Sequence, residues 1–321
     1  MSESGQASRP AVGIAAVERE TGLSKDTLRV WERRYGFPQP DRDAFGQRAY
    51  TPQDVDKLRV IRRLLDAGHR PGRIVAMPIA ELRALSETDA SAPGQVAADD
   101  PAGPDLERYL ELVRSHRIDD LRRALSTAAL QFGIERFVVD LCAPLNRSIG
   151  DRWARGELEI FEEHLYTESM QVVLRSAIGS IPAPGEHPRV LLTTVPNETH
   201  GLGLLMAEAL LALDGCRCIS LGTQTPIGDV VRAVAAQRAE IVALSFSAGL
   251  SPNLVVDGLA ELRARLPAEV EIWAGGRCPI LRRRPPKDVI VLGGLDEIRG
   301  ALARWRSLRG PPQTNSVSTP V

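Results

Sequence analysis

Val190-Leu191-Leu192-Thr193-Thr194-Val195 runs directly into Pro196-Asn197-Glu198-Thr199-His200-Gly201-Leu202-Gly203. A short, continuous apolar run that ends in a polar loop reads as a strand buried on both faces of a parallel sheet. The loop holds one histidine and opens a helix through small residues. Ligands of open α/β sheets bind outside the carboxyl ends of the strands, so this segment is placed to hold one. Glu198, two residues before His200, is positioned to orient the imidazole and raise its basicity as a ligand. Gly201 and Gly203 leave room for a bulky group to approach the backbone.

Working outward, further strand-like runs lie at 216–221, 241–245, 270–274 and 289–292. Helix-like runs at 203–213, 226–237 and 252–266, a short piece near Ile280 and a final helix at 295–305 alternate with them. Five apolar strands with helical crossovers predict a doubly wound, Rossmann-like, mostly parallel sheet covered on both faces. Ser245-Phe246-Ser247 closes the third strand and Gly275-Gly276 the fourth, so small residues converge with His200 on one sheet edge. No Gly-x-Gly-x-x-Gly follows the first strand, which argues against a dinucleotide site.

Upstream, residues 105–182 carry apolar spacings of three and four (Leu106, Leu110, Val113; Leu121, Leu125, Ala128, Ala129, Phe132), the mark of a small helical bundle. Residues 86–104 are rich in Ala, Asp, Pro and Gly and read as a flexible linker, and 307–321 as a disordered tail. The sheet domain spans 187–306. The cysteines (Cys142, Cys216, Cys218, Cys278) form no CxxC pair and read as packed thiols of a cytoplasmic protein. No 18-residue apolar run and no secretory h-region exist, so neither a membrane span nor export is expected.

The remaining block, 11–85, holds 14 Arg or Lys against 10 Asp or Glu, although the whole chain has a formal net charge of -1. A local basic excess fits nucleic-acid contact. Ser24 is placed to cap a helix with Leu28 and Trp31 turned inward and Lys25, Arg29 and Arg33 on another face, spaced by four. Such a helix suits a major groove. A turn-rich basic excursion with Arg42, Gly46, Arg48 and Tyr50 reads as a wing over the phosphate backbone. Thr51-Pro52-Gln53-Asp54 opens the next helix, with Pro52 at its first position and Asp54 in its first turn.

On these residues the block closely resembles the winged helix-turn-helix of the MerR family. The matching positions are Thr21-Gly22-Leu23, Thr27 to Gly36, Pro40-x-Arg42, Arg48-x-Tyr50 and Asp54-Val55. The resemblance implies a double-stranded DNA operator as partner. Lys25, Thr27, Arg29, Arg33, Arg34, Tyr35, Arg42, Arg48 and Tyr50 are the expected contacts.

The sheet in turn resembles the cobalamin-binding module of B12-dependent enzymes, whose pattern is Asp-x-His-x-x-Gly, Ser-x-Leu and Gly-Gly. Here it reads Glu198-x-His200-x-x-Gly203, Ser245-x-Ser247 and Gly275-Gly276. That resemblance makes His200 the lower axial ligand of cobalt. It places Glu198, Thr199, Gly201, Gly203, Leu204, Ser245, Ser247, Gly275 and Gly276 around the cofactor. The middle block is similar to the helical domain of B12-dependent MerR-type regulators, the light-sensing repressors of carotenoid synthesis among them. Trp153, followed at the family spacing by Glu163-His164, carries this likeness. By that likeness Trp153 would cap the adenosyl group of adenosylcobalamin, and Glu163 and His164 would contact it or help hold the assembly. One departure is Ala154, which stands where such photoreceptors have a histidine that captures cobalt after photolysis.

The resemblance therefore implies a DNA-binding repressor, self-associating to a dimer or tetramer, whose state follows adenosylcobalamin and light. Two alternatives remain open: a cobalamin-level or redox sensor without photochemistry, and a degenerate module that binds a partner protein. An enzyme is not expected, because a bundle of this size offers no substrate domain and no catalytic pair accompanies the cofactor ligand.

Overall fold

The computed structural model describes residues 11–43, 45–66, 69–90, 104–182 and 185–309. They fall into two compact units. One holds the N-terminal elements together with Asn146–His164; the other holds Pro104–Leu145 and the chain from Leu165 onward.

The N-terminal elements are β1 (Val12–Gly13), α1 (Ile14–Thr21), α2 (Lys25–Tyr35), β2 (Asp41–Arg42), β3 (Arg48–Tyr50), α3 (Pro52–Asp66), α4 (Pro71–Ile74) and α5 (Ile79–Ala90). Ser24 caps α2 as its sequence implies, its Oγ accepting from the Thr27 N–H at 3.1 Å. Gly36, at φ +70, ends that helix in the left-handed conformation glycine adopts without cost. Thr51 and Asp54 cap α3 reciprocally, at 3.0 Å and 3.1 Å. The strands form an antiparallel sheet in the order β1-β3-β2. Val17, Leu28, Trp31, Tyr50, Leu58 and Ile61 belong to the core beneath them.

α5 continues to Ala90, five residues into the segment expected to be linker. Ser86-Glu87-Thr88-Asp89-Ala90 contains no helix breaker; Pro93-Gly94 comes later. The rest of that expected linker, 91–103, lies outside the described residues.

The helical middle comprises α6 (Leu106–Arg114), α7 (Ile118–Arg136), a π-helical turn (Phe137–Cys142), α8 (Ala143–Arg155) and α9 (Ile160–Gly179). Leu110, Val113, Leu121, Leu125 and Ala128 are buried, as their spacing predicts. The break in α7 at Gly133 (φ +75, ψ 160) was not foreshadowed by that spacing.

The C-terminal elements are β4 (Arg189–Thr193), α10 (Leu202–Leu213), β5 (Arg217–Ser220), α11 (Ile227–Gln237), β6 (Ile241–Phe246), α12 (Pro252–Arg265), β7 (Glu271–Gly276), α13 (Pro279–Arg283), β8 (Ile290–Val291) and α14 (Glu297–Arg309). The sheet is parallel throughout, in the order β5-β4-β6-β7-β8. Strand order reverses between β4 and β6, which makes that crevice the topological switch point where ligands of this architecture bind. α10 and α14 pack together and α11 and α12 pack together. α7 and the π-turn rest against α10.

α14 runs to Arg309, three residues into the expected tail; 310–321 lie outside the described residues. Among the described residues no helix is long and apolar enough to cross a membrane. All four cysteines are free thiols, and burial pushes Cys216 up to about 12, as packed thiols require.

Candidate functional site

The switch point is built by three loops that tie to one another. Beyond β4, the Thr194 hydroxyl donates to the Glu198 carbonyl at 2.7 Å and accepts from the Gln224 N–H at 2.8 Å. The Thr225 N–H donates to the Thr194 carbonyl at 3.0 Å, so the loops after β4 and β5 are tied together. The third loop is joined through Glu198. Its carboxylate is 1% exposed, yet both oxygens are used. Oε1 accepts from the His200 backbone N–H at 3.0 Å and lies 2.8 Å from His200 Nδ1. Oε2 accepts from the Ser247 backbone N–H at 2.7 Å, across the switch point at the end of β6.

Burial alone would raise the Glu198 carboxyl, but the donors from His200 and Ser247 outweigh it and hold the group below the usual carboxylate range. Glu198 is therefore ionised at neutral pH and can only accept. That fixes the proton of a neutral His200 on Nδ1 and leaves Nε2 as the basic nitrogen. The His200 side chain is 57% exposed, so its ring is presented rather than packed away.

Glycines follow His200 in the chain and end β7. A Cβ on Gly203, in the first turn of α10, would come within 3.0 Å of Ser245 Oγ, and one on Gly201 within 3.1 Å of Thr223. Gly275 pairs with Ser245 in register and would accept a Cβ in ordinary contact. Gly276, at φ +108, would drive a Cβ to 2.2 Å from the Phe246 carbonyl oxygen, so its glycine serves the close approach of β7 to β6. Thr199 is exposed and Leu204 is buried within α10.

The donor chemistry suits a corrin. Among the described residues no group of three or more His, Cys, Asp or Glu gathers as a metal cage. A single oriented imidazole cannot hold a bare ion, but it can supply one axial nitrogen to a metal that brings its own equatorial ligands.

Trp153 lies half-buried on α8, and on α9 Glu163 Oε2 stands 3.7 Å from His164 Nε2, with the His164 side chain 70% exposed. These three belong to the first unit, whereas His200 and its neighbours belong to the second. Within the second unit, Arg299 of α14 joins the helical middle to the sheet. It bonds Glu135 Oε1 at 2.6 Å and Asp214 Oδ1 at 3.3 Å. Sequence reasoning missed this residue, because its partners lie 164 and 85 positions away.

On the N-terminal unit, α2 turns Leu28 and Trp31 inward and leaves Arg29, Arg33 and Arg34 exposed. Lys25 pairs with Glu18 at 3.4 Å and Arg29 with Asp26 at 3.1 Å, both at the surface. The Thr27 hydroxyl lies 2.8 Å from Ser24 Oγ, within the cap. Tyr35 carries the Arg34 guanidinium 5.4 Å from its ring centre, and Arg42 is exposed on β2.

One expected DNA contact is corrected. Tyr50 is 0% exposed and lies in the core of the unit, so its hydroxyl cannot reach phosphate. Arg48, its side chain 30% exposed, remains at the surface and also bonds Glu32 of α2 at 2.9 Å and 3.3 Å, bracing the wing against that helix. The burial of Tyr50 and the bracing by Arg48 have one cause. Residues two apart in a strand share a face, and this face of β3 is turned toward α2. Sequence reasoning also passed over Phe45, which is 88% exposed at the tip of the wing.

Family models match three stretches: MerR HTH family regulatory protein over 13–77, and B12 binding domain over both 105–177 and 188–303. The chain is 33% identical to the HTH-type transcriptional repressor CarH of Myxococcus xanthus, over 79% of this chain and 85% of that one. It is 30% identical to the repressor CarA of the same organism, over 82% and 86%. Among solved structures it is similar to a monomethylamine corrinoid protein of Methanosarcina barkeri. That likeness covers 62% of this chain and 97% of that one, at 14% identity and a TM-score of 0.49, too slight to bear on function. The chain belongs to the MerR-type HTH transcriptional regulators that carry B12-binding domains.

Proposed function

We propose that this regulator is a repressor whose self-association on its operator is set by adenosylcobalamin held at the β4–β6 switch point. The observation that carries it is the Glu198 bridge. One buried carboxylate orients His200 and pins the loop after β6 at the same time. His200, through Nε2, would be the protein group that holds the cobalt. Gly203, Ser245, Ser247 and Gly275 would line the slot for the cofactor's tail, and Trp153, Glu163 and His164 would contact the adenosyl group. When bound, the cofactor supplies a cobalt–carbon bond that green or near-ultraviolet light breaks.

α10 begins one residue past the His200–Gly201 loop and carries α7 and the π-turn on its flank, so what holds the loop also bears on the helical middle. Ser247 bonds Glu198 through its backbone N–H, and its hydroxyl adds to the lowering of that carboxyl. Linking several readers raises effective concentration without new base contacts. To move operator occupancy from nearly none to nearly full, assembly must bias binding by about 5 kcal/mol.

Size-exclusion chromatography of the loaded chain in the dark and after green light tests this, alongside affinity for a DNA duplex the chain selects. A dark oligomer that falls apart and releases DNA on illumination is expected. Identical elution and identical affinity would overturn it. A second reading, a sensor of cobalamin supply or redox state without photochemistry, is favoured by Ala154 beside Trp153. Equal responses to adenosyl- and methylcobalamin would select it.

A further inference from the structure

Phe45 has no role in the fold. It is 88% exposed, the highest value among the large hydrophobic side chains exposed in the described residues. Yet the turn that carries it is firmly made. Asp43 Oδ1 accepts from the Phe45 N–H at 2.9 Å and from the Gln47 N–H at 2.8 Å. The Arg42 guanidinium donates to the Gly46 carbonyl at 2.7 Å, and β2 pairs with β3 on either side. Arg48 then straps the wing to α2 through Glu32. The ring is thus displayed in water by a braced hairpin beside the basic helix, and little ordering entropy is left to lose on binding.

From this geometry we infer that Phe45 is an apolar wedge that enters the DNA minor groove beside the segment met by α2. There it reads how easily a base step opens. The inference rests on the DNA-binding reading above and adds a second kind of recognition to it. Arginines on α2 bond base edges and phosphates. A phenyl ring offers no hydrogen bond and no charge; its contribution comes from desolvation against sugars and a partly unstacked step. Pyrimidine–purine steps open most cheaply, so preference for such a step at the wing position follows. Arg42, exposed on the strand before the turn, is placed to neutralise an adjoining phosphate.

The test takes duplexes enriched by the full-length chain from a random-sequence DNA library and compares wild type with Phe45→Ala and Phe45→Leu. Because the side chain is exposed, unchanged melting of both variants is expected. Phe45→Ala should bind about 10- to 100-fold more weakly, the equivalent of burying one phenyl ring. The slope of affinity against salt should not change, since no phosphate contact is lost. The enriched preference at the wing step should vanish in Phe45→Ala and partly return in Phe45→Leu. 2-Aminopurine at that step should brighten with wild type only.

Equal affinity and the same enriched step for wild type and Phe45→Ala would overturn the wedge while leaving DNA binding intact. A Phe45→Ala variant altered in self-association but not in DNA affinity would overturn it too, assigning the ring to a second copy. A wild-type chain that enriches no sequence would overturn the DNA reading itself, and the wedge with it.

Discussion

Glu198→Gln separates what the carboxylate does for the fold from what it does for His200. The wild-type group offers two acceptor oxygens to three donors: the His200 N–H, the Nδ1 proton and the Ser247 N–H. An amide keeps the shape but offers one oxygen and one NH2. If the oxygen stays on His200, the NH2 faces the Ser247 N–H; if it turns to Ser247, the NH2 faces His200. Either way a buried donor meets a donor. A hydrogen bond to a charged group contributes about 1.5–3 kcal/mol, and a stranded buried donor costs about 1–3 kcal/mol. The apo-protein should therefore lose about 2–4 kcal/mol, which for a unit of this size lowers its melting by about 5–10 °C. The imidazole also loses its fixed tautomer, and such a loss behind a metal ligand costs about 10- to 100-fold in affinity. Calorimetry of the apo-protein and equilibrium dialysis of adenosylcobalamin read the two effects separately. His200→Ala is the comparison: it removes the Nδ1 bond but leaves the carboxylate both backbone donors, so it should lose the cofactor and melt lower than wild type, though by less than Glu198→Gln. Glu198→Gln with wild-type melting and wild-type cofactor affinity would refute the bridge.

Arg33→Ala should weaken DNA binding and reduce the salt slope by about 1, as loss of one phosphate contact does, whereas Arg48→Ala should in addition lower the melting of the N-terminal unit, because it removes the bonds to Glu32. Tyr50→Phe should bind DNA like wild type and melt no lower, because the Tyr50 hydroxyl is buried with no hydrogen-bond partner in the structure. Glu208, on α10, bears on pH. Burial raises its carboxyl against the lowering effects of Arg175 and Ser220, and its Oε2 is buried without a partner. A carboxyl raised on folding stabilises most below its unfolded value, about 4.3, and that contribution is lost as pH climbs through the folded value. Glu208→Gln should therefore melt higher than wild type at pH 7, with the gap closing as pH falls toward about 4; a pH-independent gap would contradict this.

β4 and β6 were legible because strands buried on both faces are written as unbroken apolar runs, and they deviate from the expected spans by a residue or so at their ends; β5, at the sheet edge, is only partly buried. The loop from Pro196 to Gly203 was legible because its histidine, carboxylate and glycines are local. What escaped was non-local or alternated by face. The bond from Glu198 to Ser247 spans 49 positions and uses a backbone N–H, which no side-chain pattern records. Tyr50 looks like a surface residue by type and was misplaced until the face of β3 was known. The π-turn at Phe137–Cys142 sits inside an apolar stretch that an ordinary helix would equally satisfy, and Gly133 was its only nearby mark. Phe45 was overlooked because an aromatic in a short turn has no periodicity to betray it.

Electron paramagnetic resonance of the protein loaded with cobalamin in the Co(II) state tests the His200–cobalt link most directly. The chain is labelled throughout with nitrogen-15 and the cofactor is left unlabelled. An imidazole of this protein on the axial position splits each cobalt line in two, and the doublet should disappear in His200→Ala. Threefold splitting from the cofactor's own benzimidazole, or a spectrum unaltered by the loss of His200, would contradict it.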